Sequence, residues 1–477
     1  MEHLYDKLIA YSKTDMYPYH MPGHKRRLYG KMPSDVFEMD ITEIDGFDNL
    51  HQPEEIIAEL QERAARLYGA DKSYYLVNGS TCGILSAISA ALPEGGHILM
   101  SRNSHKSAYH AAYLRNLQIT YLIPEVVEGF DFFDAITPSQ VEKAIEEHPD
   151  IQAIFIVSPT YEGRIADINA IAGIVHSKGI PLIVDEAHGA HLGFADGFAD
   201  NSNRAGADLV IHSVHKTLPS LTQTALLHCN GDLINREKLE RFLHIYQSSS
   251  PSYLLMASID NALHTVETQG KELFRFLREN YINMLKQLKT CNKLKIMTEV
   301  SQRQDLGKLI IDCRYAGISG KQLYDMLSER YHLQLEMACE TYCLAMFTVG
   351  DGKEAFERMT QALLQIDSEL QNVPKIWGGP QTVDTFLTND KSNLENHSIP
   401  LAKAWDLPWE EVSLQQAVDR RVADFINLYP PGVPLLVPGE VLTKDTYEKL
   451  QKYIAQGLNV QGIQMIEGQY LLKCVIL

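Results

Sequence analysis

Between positions 56 and 67 the apolar residues Ile56, Ile57, Leu60, Ala64 and Leu67 recur every three or four places, with Pro53 before them and Gly69 just after. That spacing lays them along one stripe of a helix, and the flanking proline and glycine punctuate it, so the pattern predicts a helix over 54–68. Beyond it the period shortens. Tyr74-Tyr75-Leu76-Val77, Ile98-Leu99-Met100, Ile119 to Ile123, Ile151 to Val157, Ile180 to Val184 and Asp208-Leu209-Val210-Ile211 read as buried strands. Helical stretches separate them: a small-residue helix from Asn78-Gly79-Ser80-Thr81 to Leu92, one opened by a capping box of Ser139 with Glu142, and one capped by Asp167 and ending at Gly179. Alternation of this kind predicts an α/β fold with a mostly parallel sheet and helices on both faces.

The pattern changes past about residue 260. Helical segments around 261–290 lead to a smaller α/β unit with strands near 308–312 and 343–349, and Pro374-Lys375-Ile376-Trp377-Gly378-Gly379-Pro380 marks a boundary. An amphipathic helix is expected near 410–426, before Tyr429-Pro430-Pro431-Gly432-Val433-Pro434. At the other end, Tyr17 to Lys25 and Asp45 to His51 read as irregular, ordered arms. The expected division is an arm over 1–52, a large domain over 53–290, a small α/β domain over 291–375 and a C-terminal domain over 376–477. There is no internal repeat and no low-complexity tract.

Charge narrows the class. A formal net charge of −18 argues against a nucleic-acid partner, which needs a basic face, and mildly favours a cationic substrate. The seven cysteines form no Cys-x-x-Cys pair and suit buried thiols in a reducing compartment. The first residues lack the basic and apolar blocks of a signal peptide, and no apolar run approaches a membrane span, so a cytoplasmic protein with no membrane partner is expected.

In a parallel α/β sheet, ligands sit outside the carboxyl ends of the strands. Asp185 ends one predicted strand, and Ser213-Val214-His215-Lys216 follows another. Either residue alone reads as a helix cap or a surface lysine. Together they suggest pyridoxal phosphate (PLP): the lysine would bond the cofactor's aldehyde and the aspartate would keep its ring nitrogen protonated. Ser213 and His215 could donate to the phosphate, as could Gly79-Ser80-Thr81 at the start of a helix, although that triplet also serves simply as a cap. His105, after a further strand, could stack on a flat ring and act as acid or base near neutral pH. The pairs His20 with His24, His188 with His191 and His212 with His215 lack the helical zinc signature, so no metal is expected. No Walker loop, dinucleotide fingerprint or nucleophile elbow is present.

Taken together, the motifs resemble the bacterial ornithine/lysine/arginine decarboxylases. The resemblance rests on His20-Met21-Pro22-Gly23-His24-Lys25, Asn78-Gly79-Ser80-Thr81, Asn103-Ser104-His105-Lys106-Ser107 and Ser158-Pro159-Thr160-Tyr161. It is completed by Asp185-Glu186-Ala187-His188-Gly189, Ser213-Val214-His215-Lys216 and Tyr429-Pro430-Pro431-Gly432, and it covers nearly the whole chain. It implies the aspartate-aminotransferase fold (PLP fold type I), Lys216 as the cofactor-bonding lysine, Asp185 on the ring nitrogen, and Ala187 and His105 on the two ring faces. It adds Ser80, Thr81, Ser213 and His215 as phosphate ligands, and Thr160 and His188 as further cofactor contacts. The resemblance also implies that Ser248-Ser249-Ser250-Pro251-Ser252 reaches a neighbouring subunit's cofactor in a homodimer with shared sites. Because the His20-to-Lys25 motif comes almost at once, the large members' N-terminal wing is expected to be missing, as in short biosynthetic members often assigned to arginine. Gly46-Phe47-Asp48-Asn49-Leu50-His51 departs from the commoner form with two adjacent aspartates, next to the substrate.

The resulting expectation is decarboxylation of a basic L-amino acid, arginine to agmatine first, with lysine or ornithine as the nearest alternative. An aminotransferase on the same fold would use the same Lys216 and Asp185, and a catalytically inactive binding protein is the third class. The distal cation of the substrate needs an anion. Glu440, in Pro438-Gly439-Glu440, is expected to supply it, because a carboxylate takes a guanidinium through two parallel hydrogen bonds; Asp48 is the other candidate.

Overall fold

The computed structural model describes residues 15, 17–19, 43, 47–370, 399–430 and 432–477. The His20-to-Lys25 motif, Asp45 and Gly46, the Pro374-to-Pro380 boundary and Pro431 lie outside the described residues.

The apolar stripe after Pro53 forms α1 (Ile56–Tyr68), which buries Ile57, Ala64 and Tyr68 and stops at Gly69, whose φ of 72° few other residues tolerate. The alternating region then folds as read from its period. In order come β2 (Lys72–Leu76), α2 (Gly79–Ala91), β3 (His97–Ser101), α3 (Lys106–Leu114) and β4 (Gln118–Leu122). They are followed by α4 (Pro138–Glu147), β5 (Ala153–Val157), α5 (Ile168–His176), β6 (Leu182–Asp185), β7 (Leu209–His212), the single turn α6 (Val214–Thr217) and β8 (Ala225–Cys229). Seven strands make one sheet in the order β2-β8-β7-β6-β5-β3-β4. Only β8 runs against its neighbours, so β2 points the same way as the five strands from β7 to β4. The inner strands are buried along their length, as sheets covered on both faces require. On one face α2 lies close to the sheet because Gly83 has no side chain: a Cβ there would sit 2.7 Å from the Leu76 side chain.

The helix over 137–147 begins two residues earlier than its sequence suggested. Thr137 and Gln140 form the capping box, not Ser139 and Glu142, because Pro138 fits only in the first turn and so puts the cap before it. Asp167 caps α5 by accepting the Ala170 N–H at 3.0 Å.

After α7 (Arg236–Tyr246), the segment expected as helical pieces is one 36-residue helix, α8 (Tyr253–Leu288). Its buried stripe, including Ile259, Leu263, Phe274, Leu277 and Leu285, joins the large sheet to the smaller unit in one core. That unit holds an antiparallel sheet of order β12-β13-β10-β9, from β9 (Lys295–Ile296), β10 (Lys308–Asp312), β12 (Met337–Ala338) and β13 (Tyr342–Met346). It also contains α9 (Gly320–Tyr331), β11 (Leu333–Leu335) and α10 (Lys353–Glu369). The N-terminal strand β1 (Tyr17–Tyr19) pairs in parallel with β11.

The helix expected near 410–426 does not form. β14 (Trp409–Ser413) pairs antiparallel with β19 (Gln469–Val475), and turns follow it to residue 420. Leu414, Ala417, Val422 and Ile426 reach one cluster with Leu442, Leu450 and Leu472. Their helix-like spacing therefore reflects side chains gathered from a strand and turns onto one core, and the hydrogen bonds offered by β19 override local preference. The unit also holds β15 (Ile426–Leu428), β16 (Pro434–Leu436), β17 (Val460–Gln461), β18 (Gln464–Ile466) and the helix Lys444–Ala455.

Arg102, after β3, fastens this last unit to the central sheet. It is 1% exposed, and its guanidinium donates to the carbonyls of Pro434 and Leu435, to the Tyr109 hydroxyl and to Glu440 Oε2 at 3.0 Å. The same Glu440 oxygen accepts the Val437 N–H at 2.8 Å. Glu440 thus meets Arg102 and backbone through Oε2. Removing one member of a buried ion pair leaves the other charge uncompensated, at a cost of about 3–5 kcal/mol. Glu440→Gln should accordingly lower the thermal midpoint and speed proteolysis within 399–477; a wild-type midpoint would show that the pair does not hold this unit in place.

Candidate active site

Because β2, β3, β5, β6 and β7 are co-directional, the turns after them meet along one sheet edge. These are the turns that carry Ser80 and Thr81, His105, Thr160, Asp185 to His188, and Ser213 to Lys216. Lys216 lies in the one-turn helix α6, partly exposed, with Nζ 3.1 Å from His188 Nε2. Burial lowers its ammonium below the usual lysine range, against the opposing pull of Asp185 and then Glu336. Asp185 is buried and accepts the Ala187 N–H at 3.1 Å. Burial raises its carboxyl, and Lys216 pulls it back down.

His105 caps α3, with Nδ1 accepting the Ser107 N–H at 3.2 Å, so the proton of the neutral ring sits on Nε2. Burial, then the charge of Lys216, pushes its pKa down to about 3. Near neutral pH the ring is therefore uncharged. It offers a flat neutral face beside Lys216.

The phosphate groups are open. Ser80 and Thr81 stand in the first turn of the 13-residue α2, whose N-cap Asn78 makes no side-chain cap. The Ser213 Oγ is fully buried and has no hydrogen-bond partner. An unsatisfied buried hydroxyl costs about 1–3 kcal/mol, so a donor left in this state at a helix mouth fits an anion that accepts it. His215 donates through Nδ1 to the Thr224 carbonyl at 2.9 Å. The residues present thus fit PLP: an amine for its aldehyde, a carboxylate for its ring nitrogen and donors for its phosphate.

Other expected contacts are occupied differently. The Thr160 hydroxyl accepts the Arg164 N–H at 3.1 Å and shapes the 160–164 turn. Asp48, also expected on the substrate, accepts the N–H groups of Asn49, Glu54, Glu55 and Ile57 and orders the approach to α1. Burial would raise its carboxyl, but those donors outweigh it and lower the pKa. Ser252 caps α8, while Ser248, Ser249 and Ser250 are exposed. Among the described residues no group of three or more His, Cys, Asp or Glu side chains is placed to hold a metal.

The structure adds residues that the motifs did not assign. Lys308, first in β10 and 1% exposed, brings Nζ 2.8 Å from His188 Nδ1. The Tyr161 ring lies 4.8 Å from that of His188, and its hydroxyl donates to Glu336, between β11 and β12. The Tyr342 hydroxyl donates to Glu162 at 2.8 Å. A lysine opening the apolar run Leu309-Ile310-Ile311, and a glutamate inside Leu335-Glu336-Met337, were two signals. Gly163 was another, since its absent Cβ would fall 2.7 Å from the Lys308 stem.

The fold and the site have matching relatives. Residues 2–354 match the family described as Orn/Lys/Arg decarboxylase, major domain, and residues 400–475 match its C-terminal domain. An arginine decarboxylase of Bacillus anthracis is 31% identical over 96% of this chain and 94% of its own length. The YaaO protein of Bacillus subtilis is 34% identical over 98% of both chains. Among solved structures, the lysine decarboxylase LdcF of Francisella novicida superposes with a TM-score of 0.77 at 17% identity, covering 98% of this chain and 80% of that one. The Bacillus subtilis ureidoglycine-glyoxylate aminotransferase, at a TM-score of 0.54 and 14% identity over 68% of this chain and 86% of that one, shares the PLP fold type I architecture. With the lysine, carboxylate and phosphate donors in place on that fold, the chain belongs to the Orn/Lys/Arg decarboxylase family and is a PLP-dependent decarboxylase of a basic amino acid.

Proposed function

We propose that the substrate is L-arginine and the product agmatine, a step toward polyamines. Relatives named arginine decarboxylase, 29–31% identical over nearly their whole length, support it. Lysine or ornithine is the second reading; the Escherichia coli lysine decarboxylases match at 22–23%. The relatives as a set support this wider basic class more broadly than any one substrate.

The observation that carries the chemistry is the buried Lys216 amine, kept below the usual lysine range and facing Asp185. PLP supplies an aldehyde that bonds amines and a protonated ring that takes up the electron pair left when CO2 departs. Lys216 acts first as the free amine that holds the cofactor and is displaced by the substrate. Asp185 keeps a proton on the ring nitrogen. Ser80, Thr81 and Ser213 would donate to the phosphate, and neutral His105 and Ala187 would hold the ring. The outgoing CO2 carries no proton, so one must reach the substrate carbon. Lys216 or His105 would deliver it.

The site is also proposed to be completed by a second copy of the chain, through the exposed turn at Ser248 to Ser250.

Incubated with PLP and each basic amino acid in turn, the protein should release CO2 and an amine from arginine most rapidly. Equal or faster release from lysine or ornithine would reassign the substrate. Borohydride should fix the cofactor on Lys216, and Lys216→Ala should abolish both labelling and turnover.

Asp185→Asn should still retain PLP yet lose at least about 10²-fold in turnover, the scale of a preorganised electrostatic contact. A near-normal rate at full occupancy would remove Asp185 from its role.

Ultracentrifugation of the active protein should show a dimer. Full activity in a monomeric fraction would rule out the shared site.

A further inference from the structure

His188 stands between two lysines. Its Nε2 is 3.1 Å from Lys216 Nζ and its Nδ1 is 2.8 Å from Lys308 Nζ. A lysine ammonium has three donors and no acceptor, and a neutral imidazole has one of each. If Lys308 is charged it donates to Nδ1, so the His188 proton must sit on Nε2. That N–H can then only point into a lone pair of Lys216, which must be a neutral amine. One surplus proton is therefore shared along three groups, and the same distances hold it on Lys308 or, with His188 in its other tautomer, on Lys216.

We propose that Lys308 is the proton reservoir of this site and that His188 relays its proton to Lys216. The step is balanced. A proton passes from Lys308 Nζ to His188 Nδ1 while the Nε2 proton passes to Lys216 Nζ. Lys308 is left a neutral amine, His188 stays neutral in its other tautomer, and Lys216 becomes the ammonium. Decarboxylation consumes one proton per turnover, and this is the one that Lys216 delivers to carbon. Solvent restores Lys308 between turnovers. Before the substrate arrives, the same arrangement keeps Lys216 a free amine able to bond the cofactor.

The surroundings suit both duties. Lys308 faces Asp305 in the loop before β10, Glu336 between β11 and β12, Glu162 and the Tyr161 ring after β5, and Lys216 on α6. Burial lowers its ammonium to about 8, against the pull of Asp305 and Glu336, so it can give and regain a proton near neutrality. His188 is faced by Lys216 and Lys308 and also by His215 and His105; burial, then the two lysines, hold it well below the usual histidine range. It therefore passes protons without storing one. The Tyr161 ring at 4.8 Å and the absent Cβ of Gly163 keep the imidazole and the lysine stem in register.

The inference rests on the decarboxylase reading, and its test separates the two. In the cofactor-free protein, the rate at which an amine reagent labels Lys216, followed by peptide mass spectrometry against pH, reads its free-amine fraction. Lys308→Met should move that profile upward, with labelling at pH 7 slowed at least about tenfold, one unit of pKa. Lys308→Arg should leave it unchanged, since arginine still donates to Nδ1. Arginine cannot give up a proton in this range, so with PLP bound Lys308→Arg should lose at least about tenfold in kcat, keep its KM, and lose any basic limb near pH 8. Wild-type labelling in Lys308→Met, or wild-type kcat in Lys308→Arg, overturns the relay. So does a raised KM with unchanged kcat, which would make Lys308 a substrate-binding residue. If Lys308→Met fails to fold, the Lys308→Arg kinetics decide alone. Absence of CO2 release from every basic amino acid by the wild type, with the labelling shift intact, would remove the decarboxylase reading and not the control of Lys216.

Discussion

Two lysine amines held against one largely buried imidazole set the terms for the rest of the site. Each cation would be costly to bury alone, and together they repel. The arrangement is tolerable because Asp185, Glu336, Asp305 and Glu162 ring the pair. Burial lowers both amines, and the carboxylates limit how far. The carboxylates have matching constraints: Glu162 takes the Tyr342 hydroxyl, Glu336 that of Tyr161, and Asp305 lies 2.9 Å from His191. A change at one member is felt across the cleft, because in low dielectric these charges are weakly screened.

The architecture makes that cluster possible by joining three parts of the chain. The central sheet supplies Asp185, His188 and Lys216 from adjacent strand ends. The small unit, carried on the long α8, supplies Lys308 and Glu336. The C-terminal unit, fastened through Arg102, brings Gly432 against His105, where a Cβ would lie 3.5 Å from the ring. Below the site, a second polar chain crosses the sheet. Ser73, His228, His212 and Glu186 are linked at 2.6, 3.0 and 2.8 Å, and all are buried. It ties β2, β8, β7 and the end of β6 together directly behind Asp185, so the carboxylate and the lysine turn sit on strands that cannot shift independently.

The helix α1, the strands of the large sheet and the order in which they alternate with helices were legible in the sequence because each depends on local periodicity. The strand-end positions of Lys216, Asp185, Ser213 and the helix mouth at Ser80 were legible because each follows a predicted buried strand. The partners of Glu440 and Asp48 were not legible for a physical reason. An acidic residue beside turn residues looks the same in sequence whether it meets a ligand or backbone N–H groups, and here neighbours distant in sequence or loop backbone claimed both. The 410–426 segment misled in the same manner, since burial on a shared core imitates a helical stripe.

Composition, period and motif spacing by themselves determined the α/β class, the strand-end location of the chemistry and the fit to PLP. Only the tertiary structure decided which charged residues are spent on holding the fold and which face the reacting amine. Lys308 lies 92 positions from Lys216 and 120 from His188 in a different sheet. No local pattern could join them, because the contact exists only once α8 packs the small unit against the edge of the large one. The protonation of Lys216 depends on that contact, and so it is a property of the fold and not of the motif around it.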